Sequence, residues 1–360
     1  MSLKVKKGAV TDFEIELESD RPVRILQLTD PQITNIDTTR TKIRYDQIKA
    51  CYFGDGIFDD DYRVYDLMNE VTDRVKPDLI VITGDIVYGE TDDSGELLLR
   101  FIRECEKYGI PWIPIFGNHD NESAKGVRWQ CEQFEKAKNC VFARGNVTGN
   151  CNFSVAVTFE NRIKSLLMML DTNGCRVFNN PGTWGDGIMA DNPDLELITQ
   201  EEGIFPDQRE WYEKTVNDVK NHYGDKDIAS LAFFHIAPSR MCELFVERYG
   251  GQNTKLEKNG DGDFGAMDNF QDTVPFDTDH AFDDMARRVG TKAMFFGHEH
   301  ENSMSILDGD MRYTFGLKTG LHNSYRLDHV GGTLITADSR NVKVEHIYYD
   351  YKPYDFSKKK

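Results

Sequence analysis

The chain has 360 residues, 39% of them apolar and 11% aromatic, as expected of an ordinary globular protein with a large core. Acidic residues outnumber basic ones 61 to 43, a formal charge of −18, and the one basic cluster is the terminal Lys358-Lys359-Lys360. That balance speaks against nucleic acid and anionic membranes as partners, which need a basic footprint, and no apolar run approaches the roughly 18–20 residues of a membrane span.

The lysine-rich start, Met1 to Val10, has no apolar core and does not read as a secretory signal. Seven cysteines without close pairs or Cys-x-x-Cys spacing read as reduced thiols, so a cytoplasmic location is expected.

In chain order, residues 12–18 alternate apolar and charged, the pattern of a half-buried edge strand. A second strand runs from Val23 to Thr29 and ends in Asp30-Pro31-Gln32. Residues 60–75 are helical in pattern, and Leu79 to Thr83 form a strand apolar on both faces that ends in Gly84-Asp85. Ser94 caps a helix reaching about Tyr108, and Trp112 to Phe116 form a strand ending in Gly117-Asn118-His119-Asp120. A helix over 126–138 and a hairpin of 152–159 with 165–170 follow. Residues 171–206 are rich in Gly, Pro and Asn, a long excursion. A helix from Pro206 to Asn221 precedes a strand from Ile228 to Phe234 that ends at His235. Residues 250–278 read as a second long loop, in which Asp261-Gly262-Asp263 fails as a calcium site because Gly265 and Ala266 stand where a ligand and a glycine belong. A helix over 279–289 leads to the strand Ala293 to Phe296, which ends in Gly297-His298-Glu299-His300, and short strands fill 304–348. The alternation of strand and helix predicts parallel neighbours, and no linker or repeat divides the chain, so one domain is expected over 1–360, with its core at about 22–348.

Five apolar strands thus end in Asp30, Asp85, Asn118, His235 and the pair His298/His300. Ligands of open α/β sheets gather beyond the carboxyl ends of strands. Taken singly, each residue has an ordinary role as a helix cap, a turn residue or a partly buried histidine; five in series are poorly explained that way. Carboxylate, amide oxygen and imidazole without thiolate fit hard-to-borderline ions such as Fe, Mn or Zn. Residues two apart in extended chain face the same side, so His298 and His300 can serve two neighbouring ions, with Asp85 a natural bridge between them.

In this order the motifs Asp-x-x, Gly-Asp-x-x, Gly-Asn-His-Asp, a later His and Gly-His-x-His resemble those of calcineurin-like metallophosphoesterases. Within that superfamily the chain is most similar to the short purple-acid-phosphatase-like branch, with Lys76-Pro77-Asp78-Leu79, Ile110-Pro111-Trp112 and Lys318-Thr319-Gly320 as supporting stretches. The resemblance implies a four-layer α/β/β/α sandwich. It assigns Asp30, Asp85 and His300 to one metal ion and Asp85, Asn118, His235 and His298 to another. His119 then faces the substrate, with Asp120 orienting its far nitrogen. Where most relatives have His two after the first Asp, this chain has Gln32, and Tyr88 stands three after the second Asp as in purple acid phosphatases. Gln32 and Tyr88 are rivals for one coordination position, with Tyr88 the expected ligand of the first ion, as a phenolate on ferric iron, and Gln32 otherwise a ligand or near neighbour. His322 is a weaker candidate for substrate contact; Asn121 and Glu122 line the pocket or cap the next helix.

The function so implied is hydrolysis of a phosphomonoester, on a small molecule or a phosphoprotein, by a metal-bound hydroxide with His119 as general acid. A phosphodiesterase or nucleotide diphosphatase on the same site, and a non-catalytic metal-binding relative, are the alternatives.

Overall fold

Which way each apolar side chain points along the strands decides the layering. The computed structural model describes residues 3–34, 61–89, 94–175, 177–178, 188–189, 192–268, 276–321 and 325–350. Five strands form one sheet in the order Val342–Tyr348, Gly331–Ala337, Val23–Leu28, Leu79–Thr83, Trp112–Ile115. Eight form the other, in the order Lys4–Lys7, Phe13–Glu16, Phe153–Phe159, Arg162–Met169, Ser230–Phe233, Thr291–Phe296, Met311–Phe315, Ser305–Asp308.

Side chains two apart on a strand share a face. In the large sheet Leu167, Met169, Leu231, Phe233, Ala293 and Phe295 belong to one buried cluster, which also takes in Ile25, Leu28, Ile80 and Ile82 of the small sheet. Their neighbours Leu166, Met168, Ala232, Met294 and Phe296 belong to a second cluster with Tyr212, Val216, Leu244, Phe245 and Phe282. These come from the helices Pro206–Tyr223, Ser239–Tyr249 and Ala281–Arg288. The helices Asp61–Val75, Glu96–Glu106 and Gly126–Lys136 send Leu67, Phe101 and Phe134 into the first cluster from the small-sheet side. The order helix, sheet, sheet, helix is the α/β/β/α arrangement expected.

Val23–Leu28, Leu79–Thr83 and Trp112–Ile115 run parallel, and so do Arg162–Met169, Ser230–Phe233, Thr291–Phe296 and Met311–Phe315. Parallel pairing brings all their carboxyl ends to one edge of each sheet.

Two local expectations are corrected. Phe13–Glu16 is not an edge strand, because Lys4–Lys7 pairs antiparallel along its outer side while Phe153–Phe159 lies on the other. The helix Ser239–Tyr249 was not foreseen from the sequence. Its signals are present: Met241, Leu244 and Phe245 are buried on one face, and Gly250 closes it in the left-handed region at φ 68°. The rejected calcium loop is instead tied down by protein, since the Asp263 carboxylate accepts from Arg248 Nη1, Tyr249 Oη and Leu307 N. Among the described residues no helix is long and apolar enough to cross a membrane, and Cys105, Cys131, Cys140, Cys151 and Cys242 are free thiols.

Phe295 is fully buried between the sheets and stacks on Phe233 with ring centroids 5.0 Å apart. Phe295→Ala is expected to lower the unfolding free energy in urea by about 3–5 kcal/mol, and a loss below about 1 kcal/mol would show that the sheets do not share this core.

Candidate metal centre

The strand ends meet where the two sheets face each other. Several contacts there cross from one sheet to the other: Gln27 Nε2 donates to Phe296 O at 3.2 Å, His235 Nδ1 lies 2.8 Å from Thr83 O, and His298 N donates to Asp30 Oδ2 at 3.1 Å. The chain turns sharply at each strand end. Asp30, Gln32, Asp85 and His298 all have positive φ, of 51°, 43°, 50° and 71°, a region non-glycine residues seldom occupy. Such strain persists only where surrounding contacts hold it, and functional sites are where it concentrates. Gly117 is required by closeness, since a Cβ there would stand 2.2 Å from Asp85 Oδ1.

Two sets of potential ligands result, Asp30 with Asp85 and His300, and Asp85 with His235 and His298, the donor atoms of each set lying within 4.8 Å of one another. Asp85 belongs to both. His235 Nε2 lies 3.3 Å from Asp85 Oδ2, and His300 Nε2 lies 3.3 Å from Asp30 Oδ1. His298 Nδ1 is 3.0 Å from Asn118 Oδ1 and 3.3 Å from His235 Nε2. All four strand-end residues expected at the second position, Asp85, Asn118, His235 and His298, are therefore together, as are the three at the first.

A further layer of bonds aims these groups. With its Nδ1–H spent on the Thr83 carbonyl, His235 turns Nε2 toward the carboxylates. Asp30 Oδ2 accepts from Thr29 Oγ1 at 2.7 Å, and Asp85 Oδ1 accepts from His119 N at 2.9 Å. Burial resists the charge on Asp30, but His235, His300 and Lys318 overcome it and hold its carboxyl down to about 2. Asp85 is likewise pulled well below the usual carboxylate range, against burial, chiefly by His235 and His119. Burial also opposes a proton on His235, yet Asp85 and Asp30 raise it to about 10. His298 is driven down to about 3 by burial and by the charge on His235.

The residues fit a pair of cations. Acceptor-only carboxylate oxygens, an amide oxygen and imidazole nitrogens converge in a buried space, and with its Nδ1–H given to the Thr83 carbonyl a neutral His235 has only a lone pair on the Nε2 that faces His298. Cations suit such a set, and oxygen and nitrogen donors without thiolate are those of hard-to-borderline ions.

His119 sits beside this cluster, 7% exposed, with Tyr88 packed on its ring at a centroid separation of 4.4 Å. Its Nδ1 is held by Glu122 Oε2 at 2.8 Å. The sequence reading had put Asp120 in that place. The Asp120 carboxylate instead accepts from the backbone N–H groups of Gly117, Ile86 and Val87, clamping the turn that presents Asn118 and His119. Burial and the neighbouring Asp85 raise it to about 7. Glu122 follows His119 by one helical turn and is buried, a spacing that could have pointed to it.

Of the rivals for the remaining coordination position, Gln32 touches the cluster: its Nε2 donates to Asp85 Oδ2 at 3.1 Å. Its Oε1 accepts from Lys318 Nζ at 2.9 Å. In the sequence Lys318 stands out only as part of the stretch Lys318-Thr319-Gly320. His322 lies outside the described residues.

Over 334 residues the chain is 24% identical to probable inactive purple acid phosphatase 28 of Arabidopsis thaliana, covering 89% of this chain and 76% of that one. It is 23% identical over 255 residues to probable inactive purple acid phosphatase 29 of the same plant, covering 65% and 57%. It is 24% identical over 244 residues to the uncharacterized protein C1020.05 of Schizosaccharomyces pombe, covering 67% of this chain and 42% of that one. The chain thus spans less than two thirds of the length of two of these three relatives. Residues 23–302 match the family model of the calcineurin-like phosphoesterases, and the chain belongs to that family.

Proposed function

We propose that the protein hydrolyses phosphoric esters, phosphomonoesters foremost, with two metal ions that the ligand sets sharing Asp85 would hold. The observation that carries this reading is the sharing of one buried carboxylate by two ligand sets, with a histidine of fixed orientation beside them. Asp30, Asp85 and His300 would hold the first ion, and Asp85, Asn118, His235 and His298 the second. Bound there, a metal pair supplies a nucleophilic water at neutral pH and charge compensation for the phosphate.

The chain's own groups do the rest. Asp120 fixes the turn after Trp112–Ile115 through three backbone N–H groups, so Asn118 and His119 are presented in a fixed relation to Asp85. With Nδ1 held by Glu122, His119 serves the substrate through Nε2, giving a proton to the leaving oxygen. The ring of Tyr88 limits how far the imidazole can rotate. The acidic surface does not forbid an anionic substrate, because charges more than about 8–10 Å away are largely screened at physiological salt. The substrate is a small phosphate ester or a phosphoprotein, and neither nucleic acid nor membrane is proposed as a partner.

A second reading has one observation behind it. Two of the relatives are named as probable inactive proteins, which leaves a metal-binding role without turnover. Assay of Mn²⁺- and Fe-reconstituted protein on an aryl phosphate, a bis-aryl phosphate and ADP-ribose separates the readings. Turnover on the monoester above the others supports the proposal, preference for either of the others selects the diesterase or diphosphatase, and none at full metal loading leaves the non-catalytic role.

Three expected outcomes follow from the geometry. Asp85→Asn, which removes the shared carboxylate charge, loses both ions by elemental analysis, and retention of two would refute the bridge. His119→Ala keeps its metal but slows hydrolysis of alkyl phosphates by about 10²–10⁴-fold, and of activated aryl phosphates far less; Glu122→Gln shifts turnover in the same sense by a smaller factor. Equal losses on both esters would remove His119 from the acid role. Because His235 carries a proton up to about 10 in the metal-free site and must lose it to bind, metal affinity rises with pH below that value. Calorimetry in buffers of different ionisation heat should show about one proton released per chain at neutral pH, and none released would contradict this.

A further inference from the structure

Lys318 is buried, and its ammonium donates to Asp30 O at 3.2 Å and to Gln32 Oε1 at 2.9 Å. An ammonium has no acceptor, so the amide oxygen of Gln32 must face it and the amide nitrogen must face Asp85 Oδ2. This settles which way the amide points. The oxygen through which Gln32 would bind a metal is committed to Lys318, while its N–H presses on the shared carboxylate. The backbone fixes the arrangement from both ends: Thr29 bridges in parallel to Lys318, Gly320 N donates to Asp30 O, and Gln32 N donates to Asp85 O. Lys318 also acts electrostatically on Asp30, Asp85 and His300, the three residues of the first ligand set.

We propose that the Lys318–Gln32 pair is a positioning device that sets a buried basic group against the first metal position, which makes the first ion the weaker and more exchangeable of the two. Gln32 is then not a ligand. A buried cation bonded to Asp30 and Gln32 repels an ion held by Asp30, Asp85 and His300 more than one held by Asn118, His235 and His298, since its hydrogen bonds go to Asp30 and Gln32 and not to the residues of the second set. This inference rests on the two-ion reading above.

The test is titration of metal-free protein with Mn²⁺ by calorimetry, the two phases assigned with His300→Ala and Asn118→Ala. The wild type should show a tight phase lost in Asn118→Ala and a weak phase lost in His300→Ala. Lys318→Met, which removes the like-charge repulsion, should tighten the weak phase by about tenfold or more and leave the tight one unchanged. A purely structural lysine would give the opposite sign, with both phases weakened, and that result overturns the proposal, as does no change in either. Lys318→Gln, which keeps a hydrogen-bonding group, should act in the same direction and serves if the methionine variant does not fold. Gln32→Leu should retain the first ion; its loss would make Gln32 a ligand and refute the assignment. A wild type that binds no Mn²⁺ removes the two-ion reading and this inference with it, whereas two bound ions insensitive to Lys318 remove only the inference.

Discussion

The structure turns on one carboxylate that has no business being charged where it lies. Asp85 is fully buried, and burial alone would keep it protonated. It is held ionised by what surrounds it: the His119 N–H on one oxygen, the Gln32 amide and the His235 ring on the other. Removing any one partner from a buried charge costs more than the pair ever gained in forming, because the group left behind cannot be resolvated. The residues around Asp85 are consequently constrained as a set. Glycine at 117, left-handed backbone at Asp30, Gln32, Asp85 and His298, and the three N–H donors on Asp120 all follow from bringing strand ends close enough to serve that one group.

The fold supplies the convergence. Parallel pairing within each sheet collects the carboxyl ends on one edge, and packing the sheets face to face sets those edges against each other. The small sheet delivers the carboxylates and the amide, the large sheet delivers the imidazoles, and neither sheet alone carries a complete ligand set. The apolar layer between them, from Ile25 and Ile80 to Phe233 and Phe295, fixes the separation across which His235 reaches Thr83 and Asp30 receives the His298 N–H. Stability of the core and geometry of the site are therefore the same requirement seen at different depths.

Much of this was legible in the sequence, since each site residue follows an apolar run with strand character and the runs recur. The residues that bind in pairs across the chain were not. Nothing in a linear reading places Lys318 against Gln32, 286 positions away, and without Lys318 the choice between Gln32 and Tyr88 had no physical basis. The structure gives them different neighbours, Gln32 the shared carboxylate and Tyr88 the ring of His119. The exchange of Asp120 for Glu122 behind His119 has a similar origin. Both carboxylates lie within one turn of the histidine, and only the tight turn at Gly117, which swings Asp120 back onto backbone N–H groups, decides between them. The helix Ser239–Tyr249 has no counterpart in the sequence reading, which passes from the strand ending at His235 to the loop at 250; its apolar face, Met241, Leu244 and Phe245, is short.

The proposed metal site thus depends on how charge is divided around Asp85, with the His235 ring and the Gln32 amide on one carboxylate oxygen, the His119 N–H on the other, and the Lys318 ammonium behind Gln32. Anomalous diffraction from crystals soaked in Mn²⁺ addresses that division at its root. Two peaks about 3.5–4 Å apart, one on each side of the Asp85 carboxylate, are the result expected. A single peak away from Asp85, or density that leaves the carboxylate bonded only to protein, would contradict the account.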